Sequence, residues 1–368
     1  MRIPQSIAVI AALFSLAACS GNNNNAQPPV PISTFAPVPA GSLLTLKTIT
    51  TIASTVDVGP GAGAGDYNPY GLAIAPVTAG LETAGDLIVC NFNSSSTTAG
   101  QGNGTTIEDI SPTPGSIPKR LIQSPSLAGC NAIAMSSSGN IWAADYTANN
   151  NPIVTPSGTL VTTIAQGPWA GPWGQAFNSG NGGKPAFFVT NAQNGTVIRI
   201  NINPGPSFSF DTILTGLTYS ISSAGIFAPA GLSYDKTSDT LYIVDTNLNR
   251  VIKIAGATTA PANSYAASGT SFNTPAVTTV FSGAPLASPI SSALLANGDL
   301  VVGNTAAVPL GNNLLVEINP TTQTLAGFKN VDSGAPGAIF GIAATNASGA
   351  QYVYFNDDND STVKRVSP

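Results

Sequence analysis

Six side chains that carry oxygen donors follow short apolar segments at regular intervals along the chain. They are Asn91, Asp145, Asn191, Asp245, Asn304 and Asn356. Carboxylate and amide oxygens are the ligands that Ca²⁺ and Mg²⁺ prefer, so their convergence would create a site for a hard cation or a polar ligand. Because only Asp145 and Asp245 carry charge, such a cation site would be weak. The same residue types also cap turns by accepting hydrogen bonds from backbone N–H groups, and this second interpretation stays open.

Two further segments have side chains suited to binding. Trp169 and Trp173 stand beside glycine and proline in residues 169–174 and could form a stacking platform for a sugar or a peptide. The alternative is that both rings pack at the start of a strand and over its loop. Residues 357–360 form a compact acidic turn that could hold Ca²⁺, although an ordinary solvated hairpin loop has the same composition.

Composition narrows the chemistry. The chain contains no histidine, which removes the commonest general base, the Ser-His-Asp arrangement and any His-ligated metal site. Its net charge is -5 and it has no basic cluster, so nucleic-acid binding lacks an electrostatic footprint. Charged residues make up 8% of the chain, while Gly (38) and Pro (29) are abundant, which favours an all-β protein with many turns.

A repeated pattern positions the six Asn and Asp residues. From residue 70 onwards, six copies each contain a small apolar strand, a short gap, a β-rich strand that ends at one of these residues, a polar turn and another β-rich strand. A weaker fourth strand follows in most copies, such as residues 159–164. The spacing of roughly 43 to 60 residues is typical of propeller blades with loop insertions. The pattern predicts a six-bladed β-propeller over residues 43–368.

The sixth copy ends at Pro368 after its third strand, so its fourth strand must come from elsewhere. Residues 47–53 resemble the fourth strand of the second copy and precede the first copy. We therefore predict that this N-terminal strand completes the last blade and closes the ring, which removes an exposed sheet edge. In such a ring, the six Asn and Asp residues are expected around one mouth of the central channel.

The first 42 residues predict export and anchoring. Residues 7–18 form an apolar run that is too short to span a bilayer and fits a signal peptide over residues 1–18. The run ends in Leu-Ala-Ala-Cys19, which resembles the bacterial lipobox and implies acylation of Cys19. The Asn- and Pro-rich residues 19–42 are predicted to be a disordered tether. Ser20 at the second mature position implies the outer membrane, with the propeller facing the periplasm.

The copies resemble NHL repeats, most clearly residues 245–251, where Asp245 is followed by Asn249 and Arg250. The layout also resembles the propellers of the SMP-30/gluconolactonase group, in which the resemblance implies a divalent cation at the channel mouth. The glutamate which that family has at the start of the first blade is not matched here, because this chain has Asn68, Pro69, Tyr70 and Gly71 at that place. The departure weighs against lactonase activity.

Cys90 ends the second strand of the first copy and Cys130 precedes the first strand of the second copy. The predicted fold places both near the same mouth on neighbouring blades. Because export favours oxidation and Cys19 is expected to be acylated, we expect these two to form a disulfide. Two small buried thiols are the alternative.

Three functions fit these observations. The first is a monomeric, non-enzymatic binding module of the cell envelope for a protein, peptide or glycan, with no nucleic acid as partner. The second is a lactonase- or lyase-like enzyme that depends on a divalent cation, with Ca²⁺ as its cofactor at the Asn/Asp ring. The third is a structural component of the envelope.

Overall fold

The computed structural model describes residues 42–61, 64–95, 101–179, 185–204, 207–222, 225–347 and 349–368. In these residues the regular structure consists of 28 β-strands and three single-turn 3₁₀ helices, which are Leu43–Thr45, Pro125–Leu127 and Thr246–Leu248. Six four-stranded antiparallel sheets, the blades, correspond to the six predicted copies. In this part of the chain no helix is long and apolar enough to cross a membrane.

Strand β1 (Thr48–Ser54) comes first in the chain and is the outermost strand of blade 6. From the centre outwards, blade 1 contains β2 (Tyr67–Ile74), β3 (Leu87–Asn93), β4 (Thr106–Ile110) and β5 (Lys119–Gln123). Blade 2 contains β6 (Cys130–Met135), β7 (Ile141–Asp145), β8 (Asn151–Val154) and β9 (Leu160–Ile164). Blade 3 contains β10 (Pro172–Asn178), β11 (Ala186–Asn191), β12 (Thr196–Asn203) and β13 (Ser207–Leu214).

A short hairpin, β14 (Ser220–Ser222) and β15 (Gly225–Phe227), precedes blade 4. Blade 4 contains β16 (Pro229–Asp235), β17 (Thr240–Asp245), β18 (Arg250–Ala255) and β21 (Val277–Ser282), with the hairpin β19 (Ala267–Ser268) and β20 (Ser271–Phe272) inserted before β21. Blade 5 contains β22 (Pro289–Leu294), β23 (Leu300–Asn304), β24 (Asn313–Asn319) and β25 (Thr324–Asp332). Blade 6 contains β26 (Ile339–Ala347), β27 (Ala350–Asp357) and β28 (Thr362–Ser367), followed outwards by β1.

The ring closes as predicted. Strand β1 pairs antiparallel with β28, from Thr48 opposite Ser367 to Ser54 opposite Thr362. Each innermost strand packs against the innermost strand of the next blade, and β26 packs against β2. The prediction of a six-bladed propeller is therefore confirmed.

The burial of each strand explains the repeating pattern in the sequence. The second strand of every blade lies between two neighbouring sheets, so β3, β11 and β17 are buried along their whole length. Such strands are apolar on both faces and do not alternate. The innermost strands use small residues because they converge on the axis: a Cβ atom on Gly174 would lie 2.0 Å from the Ala230 carbonyl oxygen of the next blade.

All six innermost strands share one irregularity. Near its beginning each carries one residue more than the second strand that it pairs with, which is a β-bulge. The residue at this point is defined here as a member of the bulge ring. The ring consists of Tyr70, Asn131, Trp173, Ala230, Ile290 and Phe340.

The first strand of each blade begins on one face of the propeller, the mouth face, and ends on the opposite face, the base. The chain enters at the base. The Leu43 amide donates to Glu317 Oε2 (2.7 Å), and Asn297, in the base loop between β22 and β23, donates to Glu317 Oε1 (3.4 Å). Leu43 and Leu46 are fully buried between blades 5 and 6, which fixes this entry point.

Candidate functional site

A cavity of about 240 Å³ opens at the mouth face, above the bulge ring. Four members of the ring form its floor, namely Tyr70, Trp173, Ile290 and Phe340. Loops on the mouth face and the β14–β15 hairpin provide the walls, which include Asn68, Phe92, Ile226, Phe227, Asp358 and Asn359. We call this space the mouth cavity.

The floor of the mouth cavity is an ordered set of aromatic rings. Tyr70 is stacked between Phe92, with ring centroids 4.3 Å apart, and Phe340, with centroids 3.8 Å apart. Trp173 meets Tyr70 and Phe92 edge-on at 6.4 Å. Tyr146 contacts the other side of Trp173 at 5.4 Å in a T-shaped arrangement. Because each ring is held by others, the cavity has a rigid apolar floor of the kind that binds an apolar or aromatic group.

Below the bulge ring the central channel narrows to a space of about 60 Å³. The innermost strands are joined there by direct contacts. The hydroxyl groups of Ser233 and Ser292 form a hydrogen bond of 2.8 Å between blades 4 and 5, and Asn131 donates to the Pro172 carbonyl (3.2 Å) between blades 2 and 3. A ligand in the mouth cavity would therefore stay at the mouth instead of passing through the ring.

Two polar groups of the mouth cavity have no hydrogen-bond partner among the described residues. The side-chain oxygen of Asn68 is buried without a donor, and this residue is only 6% exposed. The Asp358 carboxylate is half-buried and also belongs to the lining. Burial, with a smaller contribution from the charge of Asp357, raises the pKa of Asp358 to about 7. Of the two groups, Asp358 is accessible to a ligand, because the Asn68 oxygen has almost no accessible surface.

The other acidic residues of the 357–360 turn are already paired. Lys364 Nζ contacts Asp357 at 2.5 Å and Asp360 at 2.9 Å. The Asn359 amide donates to Asp332 at 3.1 Å. Only Asp358 of this turn therefore presents an uncommitted carboxylate to the mouth cavity.

The six Asn and Asp residues predicted at the mouth do not line this cavity or the channel below it, and all six are 0% exposed. The side-chain amides of three of them donate to a carbonyl of the segment that leads into their own blade. The bonds are Asn91 to Thr55 (2.9 Å), Asn191 to Pro168 (2.9 Å) and Asn304 to Pro285 (2.7 Å). Asn191 also accepts from Ala170, and Asn304 from Ala287. These asparagines hold the loops by hydrogen bonds to the backbone, which agrees with the interpretation that they cap turns.

The two aspartates of the set differ from each other. Asp245 accepts from Arg250 Nε at 2.8 Å in an ion pair that is almost completely buried, so the Asp and Arg of the NHL-like string bind each other. Asp145 is fully buried, and neither of its carboxylate oxygens has a partner in the described residues. Burial raises the pKa of Asp145 well above its ordinary value.

The sixth position needs a correction. In blade 6 the residue opposite the start of the innermost strand is Asp357, as Asn191 is in blade 3, so the copies align at Asp357 and not at Asn356. A shift of one residue turns a strand side chain to the opposite face. Accordingly Asn356 donates across the seam to the Gly71 carbonyl of blade 1 (3.1 Å). Its counterpart Thr190 likewise donates to the next blade.

The two tryptophans are separated by the fold. Trp169 packs in the core between blades 2 and 3, where its indole N–H donates to the Ile164 carbonyl (2.7 Å) and its ring meets Phe210 edge-on. Trp173 alone lines the mouth cavity. A platform made of both rings is therefore not formed, and Tyr70, Phe92 and Phe340 are the aromatic partners of Trp173.

Cys90 and Cys130 are joined by a disulfide, with Cα atoms 6.0 Å apart. It connects the second strand of blade 1 to the first strand of blade 2. Cys19, the predicted signal peptide and the predicted tether up to residue 41 lie outside the described residues.

The bulge ring was missed by the sequence reasoning, although a signal for part of it exists. In three copies an aromatic residue stands directly before a glycine near the beginning of the innermost strand, as Tyr70, Trp173 and Phe340 do. Glycine at that point lets neighbouring backbones approach, which brings the preceding side chains together around the axis.

Neither a protein-family model nor a curated protein matches this chain. Solved structures do resemble it. One is a catalytically inactive histidine-to-alanine variant of virginiamycin B lyase from Staphylococcus aureus with quinupristin (14% identity, 82% of this chain and 96% of that chain, TM-score 0.50). Another is an auxiliary nutrient binding protein from Bacteroides thetaiotaomicron (11%, 86% and 75%, TM-score 0.56). A third is a chain of a nidogen/laminin complex (12%, 77% and 92%, TM-score 0.51). At these identities the likeness supports the propeller fold alone.

Proposed function

We propose that this protein is a non-enzymatic ligand-binding β-propeller, and that the mouth cavity holds the ligand. The observation that carries this proposal is the rigid aromatic floor formed by Tyr70, Trp173 and Phe340, together with the uncommitted Asp358 carboxylate of the same lining. An apolar cavity with a few convergent polar groups is the usual form of a small-ligand site. The ligand is a small molecule, or a group presented by a peptide or glycan, that is about the size of one amino-acid side chain.

The residues of the mouth cavity favour binding over catalysis. Asp358 is the one carboxylic acid in its lining, within the described part of the chain, and the Tyr70 phenol is the one other titratable side chain there, so the lining offers neither a second carboxylate nor a lysine or cysteine as a catalytic partner. The likeness to virginiamycin B lyase adds a contrast: a histidine-to-alanine variant of that enzyme is catalytically inactive, and the present chain contains no histidine.

The alternative of a cation-dependent lactonase or lyase has weaker support. A protein site for Ca²⁺ supplies six to eight oxygen ligands. The described residues contain no group of three or more acidic or Cys side chains arranged to hold a metal, and Asp145 and Asp245 are buried away from the cavity. These residues do not fit such a site. A rise in melting temperature with millimolar Ca²⁺ that Asp358→Asn abolishes would favour this alternative.

The location is part of the proposal. We propose that acylation of Cys19 anchors the NHL-like propeller in the bacterial envelope, at the outer membrane and facing the periplasm. The lipobox-like residues 16–19 support this. Likeness in fold to an auxiliary nutrient binding protein is compatible with a binding role in the envelope. Radiolabelled palmitate incorporation into the wild-type protein, and its loss in Cys19→Ala, tests the anchor.

The binding function is tested with 2-phenylethanol, a neutral probe with one aromatic ring. Saturation-transfer NMR on the purified protein should show contact with the phenyl ring. Trp173→Ala should weaken binding about tenfold or more, because the variant lacks one of the aromatic rings that form the floor. Tyr219→Ala, which removes an exposed aromatic ring outside the cavity, is the matched control and should bind normally. Absence of binding, or equal binding by Trp173→Ala, would overturn the proposal.

A further inference from the structure

The charges around the mouth cavity indicate what kind of ligand it takes. Among the described residues, neither a lysine nor an arginine lines the cavity, whereas Asp358 brings a carboxylate. Lys364, in the strand β28 that follows the turn, is occupied by Asp357 and Asp360. No protein group therefore neutralises Asp358, and the ionised carboxylate would gain a partner only from outside.

A second residue of the lining, Asn68, also has a side-chain oxygen without a hydrogen-bond donor. Asn68 stands at the start of blade 1 and has a left-handed backbone (φ 67°), which asparagine tolerates better than most residues. Its side chain is more than nine-tenths buried, and its oxygen accepts no hydrogen bond in the described residues. Because this oxygen has almost no accessible surface, the half-buried Asp358 carboxylate is the acceptor that a ligand in the cavity can reach.

The aromatic floor contributes in the same direction. The face of an aromatic ring attracts cations as well as apolar groups. Trp173, Tyr70 and Phe340 line the cavity together with the carboxylate, so an apolar body and a positively charged head can be held at once. The combination resembles the general chemistry by which proteins recognise organic ammonium groups.

From these observations, and resting on the proposed function of the mouth cavity, we infer that the ligand is an organic ammonium compound: an apolar or aromatic body that carries a protonated amine, with the amine donating to Asp358. Free amines and the N-terminus of a peptide share this chemistry. The exclusion of anionic ligands is the other half of the inference, because Asp358 would repel a carboxylate.

Three probes of the same shape test the charge preference: 2-phenylethylamine, 2-phenylethanol and 3-phenylpropanoate. Dissociation constants are measured by NMR titration on the full chain at pH 8, where Asp358 is ionised. The ammonium compound should bind about tenfold more tightly than the alcohol, since a hydrogen bond between charged groups contributes more than a neutral one. The carboxylate should bind least. A peptide with a free N-terminal phenylalanine, compared with its N-acetylated form, separates the two sources of the amine.

Variants assign the effect to one carboxylate. Asp358→Asn keeps the size of the side chain and should lower the affinity for 2-phenylethylamine about tenfold and that for 2-phenylethanol much less. Asp358→Ser is the second variant, and the melting temperature of each confirms folding. Asp360→Asn, in the same turn but exposed and outside the cavity lining, is the matched control and should bind all probes as the wild type does.

The outcomes separate this inference from the proposed function. If the alcohol binds as tightly as the amine, or Asp358→Asn weakens both equally, the ammonium preference is wrong while the cavity remains a binding site. If no probe binds, or Trp173→Ala has no effect on any, the proposed function and this inference fail together.

Discussion

The rings of Tyr70 and Phe340 stack 3.8 Å apart and within 7° of parallel, across the seam between the first and the last blade. The contact joins the two ends of the repeat array at the mouth face, while β1 and β28 join them at the outer edge. The same pair forms part of the floor of the mouth cavity, so the closure of the ring and the candidate site share residues.

Replacing Phe340 with alanine should therefore weaken both. We expect a loss of about 2 kcal/mol in the free energy of unfolding, less than for a fully buried phenylalanine because this ring is half-buried. Urea denaturation measures the change. Phe340→Tyr keeps the stacked ring and should stay close to the wild type. Equal stability of the alanine variant would mean that the stack does not hold the seam.

Asn191 should be required for stability and not for binding. Its amide donates to Pro168 and its oxygen accepts from Ala170, so Asn191→Ala removes the partner of two partly buried backbone groups. We expect a loss of about 1–2 kcal/mol in the free energy of unfolding. The matched control is Asn194→Ala, whose partner bond to Thr196 is exposed and whose effect should be under about 0.5 kcal/mol. Loss of probe affinity without loss of stability would contradict a purely structural role.

Asp145→Asn should stabilise the protein at neutral pH. Burial raises the pKa of Asp145 well above its value in the unfolded chain, so between about pH 4 and that raised pKa the folded state binds more protons than the unfolded state. Stability that depends on this group is then full at low pH and is lost as the pH rises. The amide variant cannot ionise and escapes this loss.

Chemical denaturation at pH 4 and at pH 7 checks the sign. The difference in unfolding free energy between variant and wild type should be larger at pH 7 than at pH 4. Asp360→Asn, which changes an exposed carboxylate, should not show this pattern. A variant that is less stable than the wild type at pH 7 would show that the ionised Asp145 has a partner.

The Cys90–Cys130 disulfide should stabilise the fold by constraining the unfolded chain. For the 40-residue separation, the loop-entropy relation gives about 4 kcal/mol. The Cys90→Ala/Cys130→Ala variant should be destabilised by an amount of this order and should not respond to a reductant. Wild-type protein unfolded and refolded with dithiothreitol should match the variant. Identical urea midpoints with and without reductant would show that the bond is absent or contributes nothing.

Much of the architecture could be predicted from the sequence, because the same packing environment recurs in every blade and selects the same residue types each time. Each second strand is buried between two blades and is mostly apolar up to its terminal Asn or Asp, which made the copies visible and located the closing strand before the first copy. The proximity of Cys90 and Cys130 followed from the same ring.

The candidate site was not accessible in the same way. The direction of a side chain depends on the register of its strand to within one residue, and a single bulge changes that register. Asn356 shows the consequence, since it lies one position from the true counterpart, Asp357, and faces the next blade. The rings of Tyr70 and Phe340 come from opposite ends of the chain, so their contact depends on closure and on two bulges together.

Because Leu43 and Glu317 fix the entry of the chain at the base, a tether before residue 42 would attach to the base and not to the mouth face. Anything attached through the residues before Ser42 pulls on the side opposite the cavity. An acyl group on Cys19 would then hold the propeller with its base towards the bilayer and its aromatic opening turned to the surrounding fluid. Residues 19–41 can span at most about 80 Å, which is the greatest distance that could separate the base from the lipid headgroups.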